Sequence, residues 1–193
     1  VVQTKKEDVR QSILSAAQTL FEAKGYHGAS MTRIAREANV SSANIYVYFA
    51  SKLDVLFAIY DPWLRARLHR LEAEAQAVPK GRPRVLFILK SLWHDIPAEE
   101  NCFANNLMQA LSTASPDDRY SRDLLRWAEA KVSNIVADAL PAGRRKLLEG
   151  DSLAHILFMA FDGFAMNHRL HGPSRRIDDS VSKFATILIG QEG

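Results

Sequence analysis

Between Ser30 and Lys52 stand side chains suited to gripping a charged polymer and reading its edges, not to breaking covalent bonds. Ser30, Thr32 and Ser42 carry hydroxyls, Asn44 an amide that donates and accepts, Tyr46 a hydroxyl on a stiff ring, and Arg33 and Lys52 positive charge. Such groups bind the phosphate oxygens and base edges of nucleic acids. Small Ser42 and Ala43 allow close approach. Other chemistry finds little to work with. No nucleophile pairs with a base, and no phosphate-cradling glycine loop or metal motif occurs, so an enzyme is not expected. His168 and His171 are spaced to share a metal but lack nearby Asp or Cys ligands, and Cys102 has no resolving partner. Neither a metal nor a cofactor is expected.

Three short helices must position these groups. Ser30 is placed to cap the first, which buries Ile34, Ala35 and Ala38; Ala35 is small enough to let a second helix cross closely. Asn39 follows, where a left-handed backbone ends a helix and Asn tolerates it. Val40 plugs the corner and Ser41 caps the next helix, Ser42 to Phe49, whose Ile45, Tyr48 and Phe49 recur at the spacing of an inward face. Ser51 caps a third helix, and Lys52 beside its positive end reads as a phosphate clamp. This is the layout of a helix-turn-helix.

The stretch IAREANVSSANIYVYFASKLDVL, residues 34–56, resembles the N-terminal signature of the TetR family of bacterial transcriptional regulators through Ile34, Ala35, Ala38, Val40, Ser41, Tyr46, Tyr48, Phe49, Ser51, Lys52 and Leu56. Asn39 and Ala43 replace glycines of the family pattern. Val47 replaces a commonly polar residue, so that one phosphate contact is absent or a thymine methyl is read instead. The resemblance implies an all-α fold of about nine helices: an N-terminal three-helix DNA-binding domain with the helix-turn-helix (1–50) and a C-terminal helical ligand-binding and dimerisation domain (51–193). The expected DNA contacts are Lys5, Lys6, Ser30, Thr32, Arg33, Ser42, Ala43, Asn44, Tyr46, Val47, Tyr48 and Lys52. The resemblance also implies an effector cavity among the middle helices. Trp63, Phe87, Trp93, His94, Phe103, Asn106, Met108, Gln109 and Trp127 are its candidate lining. Buried amides at Asn105, Asn106 and Gln109 would be costly unpaired, which a wet cavity or ligand explains, as does a solvent-facing position.

Composition sets wider bounds. A chain of 193 residues, 47% apolar and 24% charged, suits one compact unit or two small ones. The seven Pro and nine Gly fall mostly between helical patterns, and no alternating strand pattern is sustained. A single cysteine excludes an internal disulfide and fits a reducing cytoplasm, and no apolar run or leader predicts membrane insertion or export. Because the first residue is Val, an initiator segment is expected to precede it. Net charge is +3, and the first sixty residues hold seven Lys/Arg against five Asp/Glu. That balance is mild, so the placement of Arg10, Arg33, Arg36 and Lys52 must matter more than total charge.

Along the chain, Thr4 with Glu7 predicts a capped helix from Lys5 to Lys24, ended by Gly25, with Tyr26 anchoring the core. Asp61-Pro62 predicts a kink or restart in the next helix, either a hinge or a fixed bend. Helices are then expected at 85–93, from Asn101 to Leu111, and from a start signal at Ser115-Pro116-Asp117-Asp118 to Leu140. The last two helices, Asp151 to His171 and about Asp178 to Ile189, carry more apolar surface than one small bundle buries. With the resemblance, this predicts a homodimer through Ile156, Met159, Ala160, Gly163, Phe164, Val181, Phe184, Ile187 and Leu188. The reading is a repressor of a near-palindromic operator, released by a small-molecule effector. The alternative is a helical ligand-binding or adaptor dimer that does not read DNA.

Overall fold

A computed structural model describes residues 2–99, 102–114, 123–148, 150 and 152–190, and among them the regular structure is entirely helical. Helix α1 spans Val2–Gly28. It buries Ile13, Ala17, Leu20 and Phe21 along one stripe. The helix is already under way at Val2, so Thr4 does not start it. At Gly25 the backbone turns left-handed, with φ 71° and ψ 172°, a conformation open to glycine and costly to other residues. Gly25 therefore breaks the helix as expected, and one further turn follows it.

Helix α2 covers Met31–Glu37, α3 Ile45–Tyr48 and α4 Lys52–Gln76. Each start is set locally. The Ser30 hydroxyl accepts from the Arg33 N–H at 3.2 Å, Ser41 from Asn44 at 3.1 Å and Ser51 from Asp54 at 3.1 Å. Asn39 takes φ 55° and Val40 N–H returns to the Ala35 carbonyl at 2.9 Å, so the turn between α2 and α3 forms as the sequence predicts. Helix α3 is shorter than the expected Ser42–Phe49, because 42–44 form a hydrogen-bonded turn.

Of the kink or restart expected at Asp61-Pro62, the restart does not occur: α4 continues through Pro62. Proline removes one backbone hydrogen bond there. Tyr60, Leu64, Leu68 and Leu71 keep a single buried stripe in phase across it, and that burial offsets the loss.

Contacts divide the chain into two compact units, Val1–Trp63 with Asn101–Tyr120, and Leu64–Glu100 with Ser121–Gly193. The second unit contains α5 (Arg82–Lys90), a π-helical turn (Ser91–Asp95) and α6 (Ile96–Ala98). Helix α7 (Phe103–Ser112) belongs to the first unit and packs on α1. The second unit is completed by α8 (Asp123–Ala139), a 3-10 helix (Ala142–Leu148), α9 (Ser152–His171) and α10 (Ile177–Ile189). The expected start signal at 115–118, Asn101 and Asp151 lie outside the described residues.

In the second unit Val85, Ile88, Leu89, Val132, Val136, Leu157 and Leu188 form the core. Arg84, also buried, ends α4 by donating to the carbonyls of Gln76 at 3.2 Å and Val78 at 2.8 Å while pairing with Asp138. Those carbonyls lie at the end of the helix, where no further turn supplies donors.

Candidate nucleic-acid interface and its supports

The first unit presents an open cleft of about 650 Å3 lined by Ser30, Thr32, Arg33, Arg36, Val40, Ser41 and Ser42. Ser30 lines it because it caps α2, and Ser41 because its hydroxyl closes the turn that leads into α3. Arg33 and Arg36 lie one turn apart on α2, and both are exposed. Ser42 is exposed at the edge of the cleft; beyond it Ala43 and Asn44 are exposed, as are Tyr46 at 56% and Val47 at 72%, while Ile45 and Phe49 are buried. Tyr48, given both to the inward face and to the contact set, is half-buried. Lys6 is exposed on α1, and the Lys5 side chain lies outside the described residues.

Lys52 has another task besides any contact with phosphate. Its ammonium donates to the carbonyls of Tyr26 at 2.7 Å and Ala29 at 2.8 Å and lies 4.0 Å from the centre of the Tyr26 ring. Burial holds its pKa below the usual lysine value. The start of α4 thereby fixes the corner that leads into α2. From the other side, the Gln109 side-chain oxygen accepts from the His27 N–H at 3.1 Å. A side chain at Gly25 would put its Cβ 2.9 Å from that same oxygen, so the glycine permits the close approach of α7 as well as the left-handed turn.

Asn106, one turn before Gln109 on α7, is wholly buried. Its amide donates to the Phe21 carbonyl at 3.3 Å and to the Tyr60 hydroxyl at 3.0 Å, and its oxygen has no partner among the described residues. Burial pushes the Tyr60 hydroxyl up to about 12, with the Asn106 bond working against the shift. Two of the amides proposed for an effector cavity thus spend hydrogen bonds on α1 and α4. Trp63 and Phe103 meet beside them, ring centres 4.8 Å apart, and Met108 is half-buried.

The other proposed ligand contacts belong to the second unit. Trp93 is buried, donates its indole N–H to the Leu157 carbonyl at 3.2 Å and stacks on Phe164. His94 meets Asp95, Phe87 is half-buried, and Trp127 lies beneath the Arg65 guanidinium at 4.4 Å.

Of the residues proposed for a partner subunit, Ile156 and Met159 on α9 and Ile187 on α10 are more than half exposed, and Gly163 is exposed with open space beside it. Ala160, Phe164 and Phe184 are half-buried. Val181 and Leu188 are buried inside the unit. Asp162, beside Gly163, has its carboxyl pushed up to about 6 by burial, with His155 opposing.

Residue-by-residue reasoning missed the Tyr60–Asn106 bond and the cleft position of Ser41. Arg36 was legible from its three-residue spacing to Arg33. The partners of Asn106 carried no local signal, being 85 and 46 residues away in sequence.

Residues 13–59 match the family of bacterial regulatory proteins, tetR family. The HTH-type transcriptional repressor BepR of Brucella suis biovar 1 (strain 1330) is 36% identical over 178 residues, covering 86% of this chain and 82% of BepR. The chain therefore belongs to the TetR family of bacterial transcriptional regulators. The HTH-type transcriptional regulator HbdR of Aromatoleum sp. (strain CIB) is 49% identical over 51 residues, 26% of this chain and 22% of HbdR. Several curated relatives are matched over less than half of their length. Among solved structures, the transcriptional regulator FadR from Bacillus subtilis in complex with stearoyl-CoA superimposes with a TM-score of 0.59 at 16% identity, over 95% of this chain and 99% of that one. At that identity the likeness is one of fold.

Lys52→Met is expected to lower stability by about 1–3 kcal/mol, since it leaves two carbonyls at a tight corner without their charged donor; chemical denaturation measures it, and an unchanged midpoint refutes the support role. For Asp162, the unfolded chain releases the proton near the ordinary value of about 3.9 and the folded chain at about 6. The folded state binds more protons in that window, so the stability Asp162 contributes is present below it and is lost as pH rises through 6. Thermal unfolding between pH 4 and 7 should show Asp162→Asn gaining on the wild type across this range and levelling off above it.

Proposed function

We propose that this chain is a homodimeric repressor that holds a near-palindromic operator and releases it when a small-molecule effector binds. The observation that carries the reading is the cleft and its continuation: Ser30, Thr32, Arg33, Ser42, Ala43, Asn44 and Tyr46 are exposed along α2, the turn that Ser41 closes and the start of α3. Val47, Tyr48, Lys5, Lys6 and the remaining donor capacity of Lys52 complete the proposed contact set. Repression is favoured by the likeness to a relative named as a repressor. A protein of this kind works in the cytoplasm, and among the described residues no helix is long and apolar enough to cross a membrane.

Dimerisation supplies reach. Two copies of a short reading helix meet successive major grooves when they stand about 34–36 Å apart. The exposed stripe of Ile156, Met159 and Gly163 on α9, with Ile187 on α10, is the proposed partner surface. Effector release follows from differential affinity, because a ligand shifts only an equilibrium whose two states it binds unequally. Helix α7 suits that role: Asn106 and Gln109 hold α1, and Phe103 of the same helix meets Trp63. An effector seated against this aromatic pair that displaced α7 would loosen the corner before α2. Binding of a small molecule is a property of the FadR complex named above, and supports this part by likeness of fold alone.

Binding to promoter DNA beside the chain's own gene should weaken steeply with salt. Arg33→Ala should reduce the slope of log affinity against log salt by about 1, and Tyr46→Ala should weaken binding roughly tenfold. Absence of salt-dependent binding would instead favour the adaptor dimer. In sedimentation the wild type is expected as a dimer, and the double variant Ile156→Glu, Met159→Glu as a folded monomer. A wild-type monomer at micromolar concentration removes the dimeric part of the reading.

A further inference from the structure

Single exposed aliphatic side chains are ordinary on protein surfaces and need no explanation by themselves. Val47 is set apart by its surroundings. It is 72% exposed, more than any other large apolar residue described, and it sits in α3 between the exposed ring of Tyr46 and the half-buried ring of Tyr48. Its own N–H is bonded to the Asn44 carbonyl at 3.1 Å, so the backbone that carries it is fixed. Ile45 and Phe49 are buried on the opposite side of the same turn, which holds Val47 outward. A β-branched side chain has one stiff torsion and loses little freedom when covered. It also has no polar atom, so it gains nothing from phosphate or from the polar base edges. Among the groups displayed in a major groove, the thymine 5-methyl is the apolar one.

We infer that Val47 is a specificity residue that packs against a thymine 5-methyl, so that each operator half-site carries a thymine at one fixed position. The inference rests on the DNA-reading proposal above and adds to it the identity of one base and the group read on it.

Deoxyuridine differs from thymidine by that methyl alone. Duplexes recovered from a randomised pool by repeated binding to the wild-type chain are resynthesised with each thymine replaced in turn by deoxyuridine, and affinities are measured by fluorescence anisotropy. The expected result is one position per half-site at which the replacement weakens wild-type binding by roughly fourfold, the size of burying one methyl. At the same position Val47→Ala should bind thymine and deoxyuridine duplexes within about 1.5-fold of each other, a coupling confined to this pair. Val47→Ala is expected to fold, since the side chain is exposed, and circular dichroism checks it. If the wild type binds but no replacement matters, or the same replacement costs both proteins equally, the thymine reading is overturned while DNA binding stands. If no duplex is recovered, both fall.

Discussion

The carboxamide of Asn106 joins three helices from a position with no exposure to solvent. It donates to the main chain of α1 at Phe21 and to the Tyr60 hydroxyl of α4, and it stands on α7. A buried amide is expensive unless its hydrogen bonds are made; the Asn106 oxygen has no partner among the described residues, but its two N–H bonds favour one relative placement of the helices that accept them. One turn further along, Gln109 reaches the main chain at His27, and Lys52 reaches Tyr26 and Ala29 from the start of α4. The corner between α1 and α2 is thus held by polar contacts from two other helices, each satisfying a backbone group exposed by the break at Gly25 or by the turn after it.

The proposed reading element beside that corner is supported by its own neighbours. Helix α3 has four residues, too few to be stable in isolation. Its shape comes from the Ser41 cap, the Asn39 turn and the burial of Ile45 and Phe49. Among the described residues the side chains of Arg33, Tyr46 and Val47 make no hydrogen bond or ion pair with the rest of the fold, so substitutions at these proposed contacts are expected to leave the fold standing. Lys52 is different: it is bound into the corner, and any effect of its loss on binding mixes recognition with folding.

The second unit follows another economy. Arg84 ends α4 by capping its last carbonyls, and Trp93 packs inward on α9 through Leu157 and Phe164. With Val181 and Leu188 also turned inward, the large apolar side chains that this unit leaves exposed among the described residues are Leu147, Ile156, Met159, Leu170 and Ile187, and Gly163 is exposed on the same helix as Ile156 and Met159. This apolar surplus was visible as composition, but the division of each helix into a core side and an outer side depends on which neighbours it meets.

Short-range chemistry was legible in the chain alone. The serine caps at Ser30, Ser41 and Ser51 each act three residues ahead, Asn39 turns left-handed where a helix must end, and Gly25 breaks α1, because in each case both partners lie within one turn. The tertiary structure decided what Asn106, Gln109 and Lys52 do, since their partners lie 85, 82 and 26 residues away. It also decided that α4 runs on through Pro62, where buried side chains on both sides outweigh one missing hydrogen bond. Local rules hold where the groups that satisfy one another are neighbours in the chain, and spacing marks an inward face such as that of Ile45 and Phe49; long-range partners are properties of the packed whole, and no reading of spacing can supply them.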